Sequence, residues 1–248
     1  MITIKTSEEV VKMKQSGKIL ASTLKYIADY IKPGQKTITL DKLAEDYILE
    51  QGGIPSFKGY RGYRHSTCLS INEQVVHGIP SERELLPGDI IGVDIGVLKD
   101  GFHSDMAYTF PVGEISQGKQ ALLEATQEAL LLGEQAIKAG VKLGAISNAI
   151  ENVAKKYNYA VVRDLFGHGI GRDLHEDPLI PNFGPSNQGP ELKEGMTLAI
   201  EPMFNCGTYK IVTLEDGWTV VTKDAKMSAH FEHTVLVTKD GYEVITKL

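Results

Sequence analysis

The feature that most constrains the fold is that the chain repeats itself once, at a very long period. Leu86-Pro87-Gly88-Asp89-Ile90-Ile91-Gly92-Val93-Asp94 aligns with Lys193-Glu194-Gly195-Met196-Thr197-Leu198-Ala199-Ile200-Glu201 at a constant offset of 107 residues. Upstream, Lys32-Pro33-Gly34 corresponds to Lys138-Ala139-Gly140 at an offset of 106. In the first copy Val10, Met13, Gly17, Leu20, Leu24, Ile27 and Ile31 recur at steps of three and four, which predicts a helix capped by Ser7 and ended by Lys32-Pro33-Gly34. Leu40, Leu43 and Tyr47 predict a shorter helix that stops at Gly52-Gly53. In the second copy a helix is expected from about Ser116 to Ala139, with Ala121, Leu122, Ala125, Ala129, Leu132 and Ala136 inward, and a short one follows with Ile146, Ile150 and Val153. Solenoid repeats are far shorter than this. The expectation is one α+β domain, residues 1–248, whose halves (roughly 1–113 and 114–248) face each other across a pseudo-two-fold axis. Gly-led strands resemble one another by chance, but helix order, turn and terminal carboxylate all keep the offset here.

The repeat has a chemical consequence. Asp94 and Glu201 occupy the same position in the two copies, each closing an otherwise apolar strand. A single buried carboxylate is costly and usually structural, whereas two brought together repel unless a cation lies between them. Asp105 follows Asp94 by eleven residues across Lys99-Asp100-Gly101. Asp-Gly between apolar runs signals a hairpin, and with a two-residue loop the two aspartates share a face, directly opposite or diagonally displaced. Glu201 precedes Glu232, in the strand Ala229–Leu236, and His168 stands in Phe166-Gly167-His168-Gly169-Ile170-Gly171, where glycines allow close backbone approach. Four carboxylates match the charge of two divalent ions. An oxygen-rich set with one imidazole suits Mn, Fe or Co and accepts Zn. Two such ions sharing a water lower its pKa towards neutrality, which supplies a nucleophile in a chain that shows no nucleophile elbow. Singly, Asp105 reads as a strand-end cap, Glu232 as a solvated strand position and His168 as a turn histidine; as a set they point to a metal centre.

Composition narrows the function classes. Hydrophobic residues make up 42% of the 248 and charged residues 23%, an ordinary globular balance. A net charge of −6 argues against a nucleic-acid surface. No apolar run has the length of a membrane span, and the N-terminus, with Lys5, Glu8, Glu9 and Lys12, lacks the apolar stretch of a signal peptide. Two cysteines, Cys68 and Cys206, form no disulfide framework or zinc knuckle. A cytoplasmic enzyme that binds neither nucleic acid nor membrane is the expectation.

The order Asp94, Asp105, His168, Glu201, Glu232 resembles the two-metal site of the creatinase and methionine aminopeptidase superfamily, whose duplicated fold is called pita-bread. The resemblance runs over essentially the whole chain. Cys68-Leu69-Ser70-Ile71-Asn72-Glu73-Gln74-Val75-Val76-His77-Gly78-Ile79-Pro80, Gly167-His168-Gly169-Ile170-Gly171-Arg172, Leu174-His175-Glu176-Asp177-Pro178 and Ile200-Glu201-Pro202-Met203 are similar to signatures of the aminopeptidase branch. Only 31 residues separate Glu201 from Glu232, too few for the helical insert of type II enzymes, so the chain resembles the short, bacterial-like type I form.

That resemblance implies an activity and a division of labour. Methionine would be removed from the N-termini of nascent polypeptides, near the ribosome, when the second residue is small, by a monomer carrying two divalent ions (Co, Mn, Fe or Zn). His77 would hydrogen-bond the scissile amide and His175 the oxyanion of the tetrahedral intermediate, while Glu201 shuttles the proton. Tyr60, Tyr63, Cys68 and Trp218 match family pocket positions, and Phe57 and Leu174 stand where some members have Cys and Phe. His65, His103, His230 and His233 receive no role. Two rivals remain: a prolidase-like X-Pro peptidase, whose relatives usually carry an extra N-terminal domain, and a metal-free pita-bread binding module, whose relatives lose ligands that this chain retains.

Overall fold

The computed structural model describes residues 1–247. Helix α1 (Ser7–Ala28) starts one residue earlier than expected. Thr6, not Ser7, accepts the hydrogen bond from the Glu9 backbone, and the Glu9 carboxylate accepts in return from the Thr6 N–H, a reciprocal capping box. Helix α1 also ends before Ile31, because residues 29–31 turn towards Pro33. Its stripe of Met13, Gly17, Leu20, Leu24 and Ile27 is buried. Helix α2 (Thr37–Glu50) buries Leu40, Ala44 and Ile48.

Strand β1 (Thr67–Ile71) then pairs with β2 (Ile90–Lys99), which turns through Asp100-Gly101 into β3 (Phe102–Pro111). The hairpin is in continuous register over ten residue pairs, from Ile90↔Pro111 to Lys99↔Phe102. Both loop residues have positive φ, 49° at Asp100 and 81° at Gly101, the conformation of a tight hairpin turn.

The second set of elements opens with α3 (Gln117–Gln135), capped by Ser116, and α4 (Gly144–Tyr157). The inward stripe of α3 departs from expectation. Ala121 and Leu132 are exposed, and Leu123, Thr126, Leu130 and Gly133 join Leu122, Ala125 and Ala129 inside. The stripe follows Gly133 because α4 passes close by: a Cβ there would lie 3.0 Å from an Ile150 side-chain carbon. Strands β4 (Gly167–Gly169), β5 (Glu176–Ile180), β6 (Thr197–Ile200) and β7 (Glu232–Val237) follow.

Together the strands form a nine-stranded sheet in which β2-β3-β7-β6-β4-β5 lie side by side, with every described pairing antiparallel. Strands β3 and β7 meet at its centre, so each half of the chain contributes a block. The helices cover one apolar core per block, with α1 and α2 over β1–β3 and α3 and α4 over β6 and β7. Corresponding turns are hydrogen-bonded alike in the two blocks. The Gly34 N–H donates to the Leu85 carbonyl and the Gly140 N–H to that of Leu192. The backbones of Lys36 and Glu84 form an isolated antiparallel β-bridge, and those of Lys142 and Glu191 form another. Gly88 and Gly195, both with φ near 90°, start the two matching strands.

Candidate active site

Sheet register assembles the carboxylates. Asp94 on β2 and Glu232 on β7 both pair with Ala107 of β3, from its two sides. Directly paired residues share a face of the sheet, and the small methyl of Ala107 leaves the space between the two carboxylates open. Asp105, two residues before Ala107 on the same face, pairs with Gly96, so it lies diagonal to Asp94 rather than opposite it. Its main chain is held by Thr234 of β7, whose hydroxyl accepts from the Asp105 N–H at 2.9 Å and donates to the Asp105 carbonyl at 2.8 Å. In the other block, His168 pairs with Ala199, two residues before Glu201, so strand alternation points both side chains the same way. The flanking glycines are required by closeness: a Cβ on Gly167 would lie 2.4 Å from the Ala199 carbonyl oxygen, and one on Gly169 would lie 2.1 Å from that of Asp177.

The resulting cluster carries the marks of a cation site. One ligand atom each from Asp105, His168 and Glu232 lies within 4.8 Å of the others, and the Glu201 carboxylate is 3.7 Å from His168 Nε2. Asp94 Oδ1 and Glu232 Oε1 are buried with no hydrogen-bond partner. Burial pushes the Asp94 carboxyl up to about 7. Burial and neighbouring carboxylates push Asp105, Glu201 and Glu232 well above the usual carboxylate range. Orphaned buried oxygens on a repelling acidic cluster are what a divalent cation relieves. His168 is prepared as a ligand in a second way. Its Nδ1–H donates to the Gly169 carbonyl at 2.8 Å, which leaves the Nε2 lone pair facing the carboxylates. Burial holds its pKa down at about 4, so the ring is neutral. The donor set therefore fits divalent metal.

A small cleft of about 150 Å³ opens over this cluster. Phe57, Tyr60, Arg61, Tyr63, Cys68, His77, Leu174, His175 and Trp218 line it with the five candidate ligands. Phe57, Tyr63, Cys68 and Leu174 belong to one small apolar cluster against which Tyr60 and Trp218 pack. The Tyr63 hydroxyl donates to the Thr67 carbonyl at 2.8 Å, which turns its ring edge-on to Trp218. His77 and His175 reach the cleft from different blocks. His77 has φ 57°, the left-handed region, next to Gly78, where a Cβ would lie 2.3 Å from the Leu69 carbonyl oxygen. Burial lowers its pKa. His175 is 3.0 Å from the Tyr60 hydroxyl through Nδ1, and its ring centre is 4.3 Å from that of His168. Partial burial and the neighbouring His168 hold its pKa down as well.

Every residue singled out in the sequence thus lies in one place. The remaining histidines are accounted for differently. His103 bonds Ser56 at 2.8 Å, His65 approaches Asp41 at 3.2 Å, and His233 bonds Glu134 at 2.7 Å; none of the three lines the cleft. Sequence reasoning missed Arg61, whose guanidinium lies over the Tyr60 ring at 5.2 Å. It has φ 49°, an uncommon conformation for arginine, and nothing in the local pattern signals it. His230 is the other omission: it is 4% exposed and packed against Glu201 and Glu232.

A sheet that presents four carboxylates and an imidazole at the floor of an apolar cleft defines a metallohydrolase architecture. The profile of metallopeptidase family M24 matches residues 11–239, and the chain belongs to that family. It is 51% identical, over the full length of both chains, to methionine aminopeptidase 1 of Bacillus subtilis. The crystal structure of methionine aminopeptidase from Thermotoga maritima superposes with a TM-score of 0.98 at 43% identity, covering all of both chains. Prolidase from Pyrococcus furiosus shares the fold at a TM-score of 0.81 and 24% identity, with this chain covering 65% of it. The fold is the pita-bread fold.

Proposed function

We propose that this protein is a methionine aminopeptidase that removes the N-terminal methionine of nascent polypeptides when the second residue is small, acting in the cytoplasm near the ribosome as a monomer. The whole chain serves as one catalytic domain, with pseudo-two-fold halves at roughly 1–113 and 114–248. The observation that carries the reading is an acidic cluster with orphaned oxygens at the floor of an apolar-walled cleft. Full-length identity to methionine aminopeptidases supports it. Among the described residues no helix is long and apolar enough to cross a membrane.

Asp94, Asp105, His168, Glu201 and Glu232 would hold two divalent ions, Co, Mn, Fe or Zn. When bound, such ions supply Lewis acidity and a nucleophilic water near neutral pH. The chain's own groups supply the rest. Tyr60, Tyr63, Cys68 and Trp218, with Phe57 and Leu174, enclose an unbranched thioether side chain. His77 hydrogen-bonds the scissile amide. His175, neutral and steered by Tyr60, donates to the oxygen on which negative charge develops. Glu201 takes the proton from the attacking water and delivers it to the leaving amine.

The test compares Met-Ala-Ser, Met-Lys-Ser, Leu-Ala-Ser, N-acetyl-Met-Ala-Ser and X-Pro peptides at equal concentration, with chelator and with added Mn, Co, Fe or Zn. Only Met-Ala-Ser should be turned over well, and only with metal. Rapid hydrolysis of the acetylated peptide would overturn the aminopeptidase reading, and preference for X-Pro would favour the prolidase alternative.

A further inference from the structure

His230 is the one histidine buried in the acidic cluster that the proposed mechanism does not use. It closes the strand Ser228–His230, and its main chain is fixed at both polar atoms by one side chain. The His230 N–H donates to Thr109 Oγ1 at 3.0 Å, and the Thr109 hydroxyl donates to the His230 carbonyl at 2.7 Å. That anchor places the imidazole beside the two glutamates. Its Nε2 is 3.9 Å from Glu201 Oε2 and 3.8 Å from Glu232 Oε2, and it has no hydrogen-bond partner. The residue is not among those lining the cleft.

An orphaned imidazole nitrogen at this depth is disfavoured unless something is gained from it. Here the gain is identifiable. Glu201 is flanked by imidazole on both oxygens, with His168 Nε2 at 3.7 Å from Oε1 and His230 Nε2 at 3.9 Å from Oε2. The two rings differ in kind. His168 has its Nδ1–H committed to a carbonyl and offers a lone pair at Nε2. At His230 two carboxylate oxygens face Nε2, which favours the tautomer carrying hydrogen there and makes it a donor. A donor almost equidistant from two ligand residues acts on both at once, and outer partners of this kind orient ligating carboxylates.

We propose that His230 is a positioning residue that holds the outer oxygens of Glu201 and Glu232, sets their spacing and thereby raises the affinity of the centre for divalent metal. This rests on the metal-centre reading given above.

The test uses the full chain, stripped with chelator and titrated with Mn²⁺ by calorimetry, with thermal midpoints measured before and after loading. His230→Leu fills a similar volume without a donor. It should weaken Mn²⁺ binding about 10- to 100-fold, while the stripped protein melts at the same temperature or higher because an unpaired buried nitrogen has been removed. His230→Gln offers an amide N–H and should recover most of the lost affinity. Unchanged Mn²⁺ affinity in His230→Leu would overturn the proposal. A stripped His230→Leu protein that melts earlier would make the residue structural and overturn it too. If the parent binds one more equivalent of Mn²⁺ than His230→Gln, His230 is itself a ligand and the positioning role is wrong. If the parent binds no Mn²⁺ at all, the metal-centre reading fails first and this inference fails with it.

Discussion

The two halves of the molecule bring carboxylates to one place by different means. In the first, Asp94 and Asp105 stand on a single hairpin with a two-residue turn, in unbroken register for ten pairs. In the second, Glu201 and Glu232 end and begin adjacent strands, and the chain between them leaves the sheet to supply Trp218 and His230 before it returns. The second half spends longer side chains and a long excursion where the first uses short side chains and a turn. Each half adds one cleft imidazole, His77 from the first and His175 from the second. The local solution is stiff and specified by neighbours in sequence. The distributed one depends on packing between segments far apart in the chain.

The largest expected effect tests whether the two means are equivalent. Asp105→Ala in the first half and Glu232→Ala in the second should each abolish Met-Ala-Ser hydrolysis and lower bound metal in parallel, as measured by atomic emission of the purified protein. Full activity of either variant, or of a chelator-stripped preparation, would break the two-metal reading. Next come the imidazoles. His175→Ala and His77→Ala should keep their metal and lose kcat by roughly 100- to 1000-fold each, about 2.7–4 kcal/mol of transition-state stabilisation. If either lost metal before kcat, that histidine would be a ligand rather than a group acting on the substrate.

The third prediction concerns stability of the loop that carries His175. Glu176 accepts from Lys5 Nζ at 2.6 Å, with both side chains under a tenth exposed, and also from Thr3 and the Arg172 and Asp173 backbones. Although burial alone would raise its pKa, the hydrogen bonds from Lys5 and Thr3 lower it below 4.5. A carboxylate with a depressed folded pKa stabilises the native state fully above its unfolded value and loses that contribution as pH falls through the folded value. Lys5→Met should therefore cost about 3 kcal/mol at neutral pH, and the gap to the parent should shrink on acidification below about pH 4.5, in denaturant melts at several pH values. A gap independent of pH would mean that packing, not charge, ties the N-terminal segment to the loop.

The smallest effects compare one helix from each half. A Cβ on Gly17 of α1 would lie 2.5 Å from the Ile245 carbonyl oxygen, backbone that cannot yield. On Gly133 of α3 it would meet only side chains, Ile150 at 3.0 Å and Ile146 at 3.6 Å. Gly17→Ala should cost about 1–3 kcal/mol through overpacking. Gly133→Ala should cost less than about 1 kcal/mol, because the helix propensity of alanine offsets the contact. Equal costs would show that the backbone at Ile245 moves as readily as a side chain.

Much of this was legible in the sequence for a physical reason. Repetition, strand alternation and the Asp-Gly turn are local properties, so the shared face of Asp94 and Asp105, the helix order and the five-residue donor set could be read before any coordinates. The misread positions were those decided by neighbours distant in sequence. Ala121 and Leu132 sit at plausible inward positions, yet the approach of α4 on Gly133 rotates the buried stripe away from them. The capping threonine was passed over for the serine beside it, because either hydroxyl suits the role until the chain direction is known.

What the sequence by itself determined is therefore the inventory: two matching halves, four carboxylates and an imidazole at strand positions that alternation can align, and an aromatic set for a pocket. What only the tertiary structure decided is which groups are left without partners. Whether His103 is satisfied by Ser56, His233 by Glu134 and His230 by nothing depends on strands and helices brought together from far apart in the chain. Hydrogen-bond satisfaction is a property of the packed state, and a histidine in a sequence carries no mark of whether its partner will arrive.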